Sequence, residues 1–123
     1  MKLYKHIFIF STLLIVACKS DEKKVSDRII GRWEVISSEI NNRENPLMKG
    51  GFFEFKADKT IDSDVFGEVN PSTYSIKDNK NINITKNDGE VVKFTISDFS
   101  SDDTIKMNGN LQYYDLKFIL KRL

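Results

Sequence analysis

The 123-residue sequence predicts an all-β fold, an antiparallel eight-stranded up-and-down barrel preceded by a short helical turn. Apolar and polar residues alternate with a period of two in most segments after residue 31, as in strands with one buried face. Turn residues recur about every eight to twelve residues, which is typical of antiparallel sandwiches and barrels. No segment has the length of a helical crossover, which argues against a parallel sheet.

The predicted domain begins with a helical turn over residues 25–30, for which Ser26 is the expected cap and Gly31 the expected end. Asn-Asp-Gly at residues 87–89 gives the strongest hairpin signal, because glycine accepts a positive φ, and Asn-Gly-Asn at residues 108–110 predicts another turn. The eight predicted strands cover residues 32–40, 52–57, 60–66, 72–77, 81–85, 90–99, 104–107 and 111–123.

The beginning of the chain differs from the predicted domain. Lys2 and Lys5 precede an uncharged stretch over residues 7–17, which fits the apolar region of a signal peptide and is shorter than the ~20 residues of a membrane-spanning helix. It ends in Leu-Ile-Val-Ala-Cys at Cys18, which resembles the lipobox of bacterial lipoproteins. The resemblance implies cleavage before Cys18 and lipidation of its thiol. The chain then divides into a signal peptide (residues 1–17), a lipidated cysteine with a charged tether (18–25) and a barrel domain (26–123).

The tether carries further signals of location. Asp21 and Glu22 resemble the acidic stretch behind the lipidated cysteine of surface-exposed Bacteroidetes lipoproteins, although neighbouring lysines dilute the pattern and a plain solvated linker is the alternative. Lys19 stands where enteric bacteria place the aspartate that retains lipoproteins in the inner membrane. These resemblances imply a cell-envelope protein held in the outer membrane through Cys18, with its domain at the cell surface or in the periplasm.

Composition excludes several functions for the mature chain. The single histidine, His6, leaves with the signal peptide, and the single cysteine is Cys18. Cys–His and Ser–His catalytic pairs are therefore impossible, and a zinc site would need carboxylates alone. The formal net charge of +1 becomes −1 when Lys2 and Lys5 are removed, which argues against nucleic-acid binding. We therefore expect no enzyme, no metal and no cofactor.

The remaining catalytic or calcium-binding candidates are acidic residues in turns and on strands. Acidic side chains in turns usually bond the local backbone, and those at alternate strand positions usually form a solvated face. We expect these structural roles for Asp62, Asp64, Asp98, Asp102 and Asp103.

Gly31-Arg32-Trp33, at the start of the first strand, resembles the Gly-x-Trp motif of lipocalins and of small bacterial lipocalin-like domains. In that family the tryptophan plugs the closed base of an eight-stranded barrel, and a basic residue near the end of the last strand lies across its ring. The resemblance, which spans the mature chain, implies structural roles for Gly31, Trp33 and Arg122. A core tryptophan in another β fold is the alternative interpretation of Trp33.

The same resemblance implies a monomer that binds a small hydrophobic or amphipathic ligand without catalysis. An eight-stranded barrel either holds one small ligand or is filled by its own side chains, so core packing is the simpler interpretation at each inward position. The predicted inward residues form an apolar interior with one phenol: Val35, Phe53, Phe55, Tyr74, Ile76, Phe94, Ile96, Met107 and Leu116.

Residues 41–51 join the first two long strands, where lipocalins carry a lid, and hold Leu47 and Met48 among polar residues. These two side chains either cover a mouth or tuck into the rim of the core. A cavity of roughly 300 Å³ or more beside this loop would favour ligand binding. A filled barrel would favour the alternative, a surface module that interacts with an envelope protein as an inhibitor, immunity protein or accessory subunit.

Overall fold

The computed structural model describes residues 24–67 and 72–123. The predicted signal peptide, Cys18 and most of the tether lie outside these residues. The elements in chain order are α1 (Val25–Arg28), β1 (Gly31–Ile40), β2 (Arg43–Glu44), a 3-10 helix (Pro46–Met48), β3 (Phe52–Phe55), β4 (Thr60–Ser63), β5 (Ser72–Lys77), β6 (Asn81–Thr85), β7 (Val91–Ser101), β8 (Thr104–Leu111) and β9 (Tyr114–Arg122).

Eight of these strands close into a barrel in which each strand is antiparallel to its neighbours. From β3 to β9 every strand pairs with the next in sequence, and β1 pairs with both β3 and β9. A bulge between Val35 and Ser37 bends β1 along the β9 seam, as bulges do at barrel closures. The two-residue β2 is added to the far end of β1. Closure pairs the outer edges of the sheet, and the predicted antiparallel eight-stranded barrel is confirmed.

The barrel has two different ends. At the helix end lie α1 and the short turns at residues 56–59, 78–80 and 102–103. At the loop end lie the connections at residues 41–51, 64–67, 86–90 and 112–113. Between β4 and β5 the described residues form two pairs, Thr60 with Thr73 and Ile61 with Ser72.

Alternate side chains of the barrel strands point inward and form one apolar core. Val25 and Ile29 add to it from the helix end. The buried strand residues are Trp33, Val35, Phe53, Phe55, Ile61, Tyr74, Ile82, Ile84, Val92, Phe94, Ile105, Met107, Leu116, Phe118 and Leu120.

Several local predictions are wrong. Residues 108–110 do not turn, because β8 continues through Gly109 to Leu111 and the reversal comes at residues 112–113. Gly109 lies opposite Phe94, and a Cβ there would be 2.3 Å from Cδ1 of that ring. The glycine therefore serves packing inside a strand.

The predicted element ends also need correction. Ser26 lies inside α1 and does not cap it. Lys24 occupies the N-cap position, and its side chain makes no capping hydrogen bond. The strand predicted over residues 60–66 ends at Ser63, because Asp64 turns back and its Oδ1 accepts a hydrogen bond from the Phe52 amide at 2.8 Å. In residues 24–67 and 72–123, no helix is long and apolar enough to cross a membrane.

Candidate functional site

Trp33 and Arg122 close the helix end together. The Trp33 side chain is fully buried, and its Nε1 donates to the Ile29 carbonyl at 2.8 Å. The Arg122 guanidinium lies 4.2 Å from the centre of the Trp33 ring system. Its nitrogens donate to the carbonyls of Asp102, Ile30 and Arg28. Arg122 thereby joins the last strand to the turn at residues 102–103 and to the chain between α1 and β1.

Gly31 makes this arrangement sterically possible. Its φ of 134° lies in the positive region that favours glycine. A Cβ at this position would lie 2.8 Å from Nη1 of Arg122. The structure therefore brings the three residues of the predicted base together at the helix end. The Arg122 side chain stacks on Trp33 and passes close to Gly31.

A second arginine adds to the contacts that close the helix end. Arg28 lies 3.8 Å above the Phe99 ring and forms an ion pair of 3.1 Å with Asp102. Phe99 in turn meets Trp33 edge to face at 5.9 Å between ring centres. The sequence motif predicted the roles of Trp33 and Arg122 but gave no signal for Arg28 and Phe99. The β7–β8 hairpin places Phe99 and Asp102 next to Arg28.

The nine predicted inward residues all lie against the barrel interior. Seven are buried, while Ile76 and Ile96 are half-buried at its margin. The Tyr74 hydroxyl donates to the Lys56 carbonyl at 2.8 Å, so the one predicted phenol is engaged by the backbone at the helix end. A role in ligand binding for these residues stays a prediction.

Aromatic rings fill the middle of the barrel. The Phe53 ring centre lies 6.2 Å from that of Phe94 and 6.0 Å from that of Phe118, and Phe94 and Phe118 are 5.7 Å apart. Close-packed rings leave little room for a ligand at this level. Any interior ligand must therefore sit above them, toward the loop end.

A cavity of about 230 Å³ is found at that position. Its floor is apolar, and Lys86, Asn87 and Asp88 of the β6–β7 connection stand at its mouth. Phe66, half-buried, forms one wall, with its ring centre 6.1 Å from Phe53. The lining residues are Phe53, Ile61, Ser63, Phe66, Ser72, Ile84, Lys86, Asn87 and Asp88. Only Phe53 was among the predicted ligand-binding residues.

The mouth of the cavity carries a charged hydrogen-bond network. Lys86 Nζ lies 2.8 Å from Glu90 Oε1, and Glu90 Oε2 accepts a hydrogen bond of 2.8 Å from Gln112 Nε2. The hydrogen bond with Glu90 raises the pKa of the Lys86 ammonium. The bonds from Lys86 and Gln112 lower the pKa of Glu90. Both groups therefore stay charged around neutral pH, beside an apolar floor.

The two apolar side chains in the loop at residues 41–51 lie in different environments. Leu47 is 90% exposed, whereas Met48 packs against the core. The depression beside this loop is open and lined largely by residues 47–51 and Asp64. In the described residues this depression has a volume of about 270 Å³, short of the roughly 300 Å³ that would favour ligand binding. The apolar cavity lies by the β4–β5 and β6–β7 connections instead.

Four of the acidic residues considered for catalysis or calcium binding have a partner for the carboxylate: Asp62, Asp64, Asp98 and Asp102. Asp62 pairs with Lys56 at 2.8 Å, and the Asp98 carboxylate accepts from the Ser100 amide at 2.9 Å. Hydrogen bonds from Ser100 lower the pKa of Asp98, which keeps it ionised. In the part of the chain that the structure describes, no three potential metal ligands cluster together.

Comparison with known proteins gives a structural relative. No protein-family model matches this chain, and its sequence matches no curated protein. The structure of bovine odorant binding protein, solved with a selenium-containing odorant, superposes with a TM-score of 0.54 at 17% identity. The match covers 83% of this chain and 74% of the bovine chain. At this identity the likeness concerns the fold, and together with the closed antiparallel barrel and its Trp33–Arg122 base it shows that the chain has the lipocalin fold.

Proposed function

We propose that this protein is a lipid-anchored, non-catalytic binder of a small hydrophobic or amphipathic molecule. The cavity of about 230 Å³ at the loop end carries this proposal. Ligand pockets are mostly apolar with a few placed polar groups, and drug-sized ligands occupy about 300–1,000 Å³. The cavity is smaller, so we infer a compact ligand, or one that inserts only its apolar part.

The cavity also indicates how such a ligand would be oriented. Phe53, Ile61 and Ile84 line the floor, while Lys86 and Asp88 stand at the mouth. An apolar tail would replace water on the floor at a gain of about 25 cal/mol per Å² of buried apolar area. A polar head would remain beside the Lys86–Glu90 pair, where it exchanges hydrogen bonds with charged groups. The bovine odorant binding protein, which shares the fold, was solved with an odorant bound.

Replacing Ile84 by tryptophan should fill the cavity and abolish ligand uptake. Residues 19–123 contain every described barrel strand, and they are titrated with N-phenyl-1-naphthylamine, whose fluorescence rises in apolar sites. We expect the Ile84→Trp change to weaken binding roughly tenfold or more, since the added ring occupies the ligand's space. Competition by decanol and decanoic acid measures whether the charged mouth favours a neutral or an acidic head.

Val91→Trp is the matched control. Val91 is exposed at the same end of the barrel and does not line the cavity. It should bind the probe like the parent chain, and circular dichroism melts of all three proteins check the fold. If the parent chain takes up no probe or competitor, or if Ile84→Trp binds as well as Val91→Trp, the cavity is not a ligand site.

A second candidate function rests on the closely packed rings below the cavity. With a filled barrel, the protein would act through its surface as an inhibitor, immunity protein or accessory subunit in the envelope. The almost fully exposed Leu47 and Tyr113, both at the loop end, are the apolar side chains that a protein partner would cover. A negative result at the cavity would direct the search to these residues.

The anchoring part of the proposal rests on Cys18 and the sequence before it. We expect Cys18→Ser to abolish incorporation of radiolabelled palmitate, because the thiol carries the lipid. The protein should also move from the membrane pellet to the soluble fraction, because without the thiol it carries none of the acyl chains that stable anchoring needs. Labelling of the Cys18→Ser variant at the level of the parent would contradict lipidation at this residue.

Anchoring at Cys18 would also orient the barrel. The described chain begins at Lys24, next to α1 at the helix end. The six residue-to-residue steps from Cys18 to Lys24 span at most about 20 Å when extended. The helix end would therefore lie near the lipid surface, and the cavity at the opposite end would face away from it.

A further inference from the structure

The outer surface of β6, β7, β8 and β9 forms a broad polar depression of about 690 Å³. It lies outside the barrel wall and shares no lining residue with the apolar cavity. Five asparagines line it, and four of them are on strands, Asn81 and Asn83 on β6 and Asn108 and Asn110 on β8. We call this surface, defined by these four residues, the amide face.

Strand register arranges the amide face in two rows that cross the strands. In each row, side chains that are directly opposite on neighbouring strands stand side by side. The first row is Lys77, Asn81, Thr95, Asn108 and Lys117. The second row is Asn83, Lys93, Asn110 and Asp115.

The asparagines are not explained by the fold. Asparagine is depleted in strands, and outward positions on a barrel usually carry better strand formers. Asn83 and Asn108, each in the middle of its strand, therefore oppose local propensity without adding to the core. Such conflicts between sequence and local structure are expected at functional sites.

Neighbouring residues orient some of these amides and leave others available. Asn81 Oδ1 accepts a hydrogen bond of 3.1 Å from the Thr95 hydroxyl, and the Asn110 amide nitrogen donates to Asp115 Oδ1 at 2.7 Å. Among the described residues, the side chains of Asn83 and Asn108 have no hydrogen-bond partner. The face thus combines fixed amides with unused donors and acceptors.

The chemistry of the face favours a neutral, hydroxyl-rich ligand. Each amide offers a donor and an acceptor side by side, which matches the neighbouring hydroxyls of a sugar ring. Three lysines and two aspartates line the depression, so no field of one sign selects an anionic polymer. Among the described residues, the apolar side chains that line it are Phe94 and Leu116, which are buried in the core, and none of the exposed large apolar side chains does. Protein interfaces need exposed apolar anchors at their centre.

The geometry matches the same ligand class. Neighbouring strands lie about 4.8 Å apart, close to the length of one pyranose ring, and four strands span about 14 Å. A chain of about three sugars laid across β6 to β9 would place one ring over each interval between strands. We propose that the amide face binds a neutral glycan, independently of any ligand in the apolar cavity.

The test compares the full-length protein, in detergent micelles, on native gels with and without neutral polysaccharides. The neutral gels contain soluble starch, dextran, galactomannan or xyloglucan, and a further gel contains the anionic dextran sulfate. We expect at least one of these to retard the protein. The Asn83→Thr/Asn108→Thr variant should bind that polysaccharide with an affinity at least roughly tenfold lower, because it lacks the two available amides. Threonine is a better strand former, so a thermal melt should show the barrel intact.

Glu34→Thr/Lys121→Thr is the matched control, since it introduces the same two threonines at a directly opposed pair on β1 and β9, away from the amide face. It should bind like the parent. Three results would overturn the proposal: no retardation in any neutral gel, equal retardation of the amide variant, or retardation by dextran sulfate alone. It would also fail if sedimentation velocity showed a dimer that the amide variant dissolves, since the face would then join two copies of this chain.

Discussion

Replacing Trp33 by alanine should cost about 3–5 kcal/mol of unfolding free energy, as large-to-small changes of buried aromatics do. Trp33 is fully buried, and its removal leaves a hole between α1 and the barrel. It also removes the surface on which Arg122 stacks and the hydrogen bond that ties Ile29 to the barrel. Because domains of this size have stabilities of about 5–15 kcal/mol, the variant should be close to unfolding.

Urea denaturation followed by far-ultraviolet circular dichroism measures this loss, because the only tryptophan is the residue removed. Trp33→Phe separates the contributions. It keeps an aromatic face for Arg122 and loses the bond to the Ile29 carbonyl, so it should cost about 1–2 kcal/mol. If Trp33→Ala were no less stable than Trp33→Phe, the plug at the helix end would not stabilise the barrel.

Replacing Gly109 by valine should cost about 2–3 kcal/mol through overpacking. A Cβ at residue 109 would lie 2.3 Å from Cδ1 and 2.5 Å from Cε1 of Phe94. It would also lie 2.9 Å from the Lys93 carbonyl, which cannot move without disturbing the β7–β8 pairing. Phe94 is held by Phe53 and Phe118, so the ring has little space to retreat.

Lys106→Val is the control for valine in the same strand, because Lys106 points outward and is exposed. Its unfolding free energy should stay within about 0.5 kcal/mol of the parent. Phe94→Leu should relieve part of the Gly109→Val cost, so the double variant should be more stable than the sum of the single effects predicts. Additive effects would show that the two residues do not compete for the same space.

Strand alternation and turn spacing were enough to predict antiparallel strands with one buried face, since the period of inward residues depends only on the pleat. The choice of a barrel over a sandwich came from the resemblance of Gly31-Arg32-Trp33 to a lipocalin motif. Alternation was not enough to place every turn. Asn-Gly-Asn at residues 108–110 has turn chemistry, yet the tertiary requirement for space beside Phe94 keeps Gly109 in a strand. The amide of Asn108, which suggested a turn, points outward from the same strand. No local pattern distinguishes these two uses of Asn-Gly.

The candidate site was harder to predict than the fold, because it depends on how far along the barrel each inward side chain lies. Inward positions such as Phe53 and Phe94 follow from alternation, but whether such a residue touches a cavity depends on its height in the barrel. Ile84 and Lys86 line the cavity at the loop end, and sequence periodicity carries no information about where the packed core ends. Trp33 and Arg122 could be linked because a family resemblance joins them across 89 positions.

The pairing of β1 with β9 sets the order in which the molecule can be completed. Seven partners of β1 lie between Leu116 and Arg122, in the last strand of the barrel. This seam cannot form until β9 is available to pair with β1, and contacts between residues so far apart in sequence are slow to establish. Until then β1 exposes an unpaired edge that can join another chain. A chain in which β9 has not yet paired with β1 is therefore the form most open to aggregation, and removal of β9 would make that state permanent.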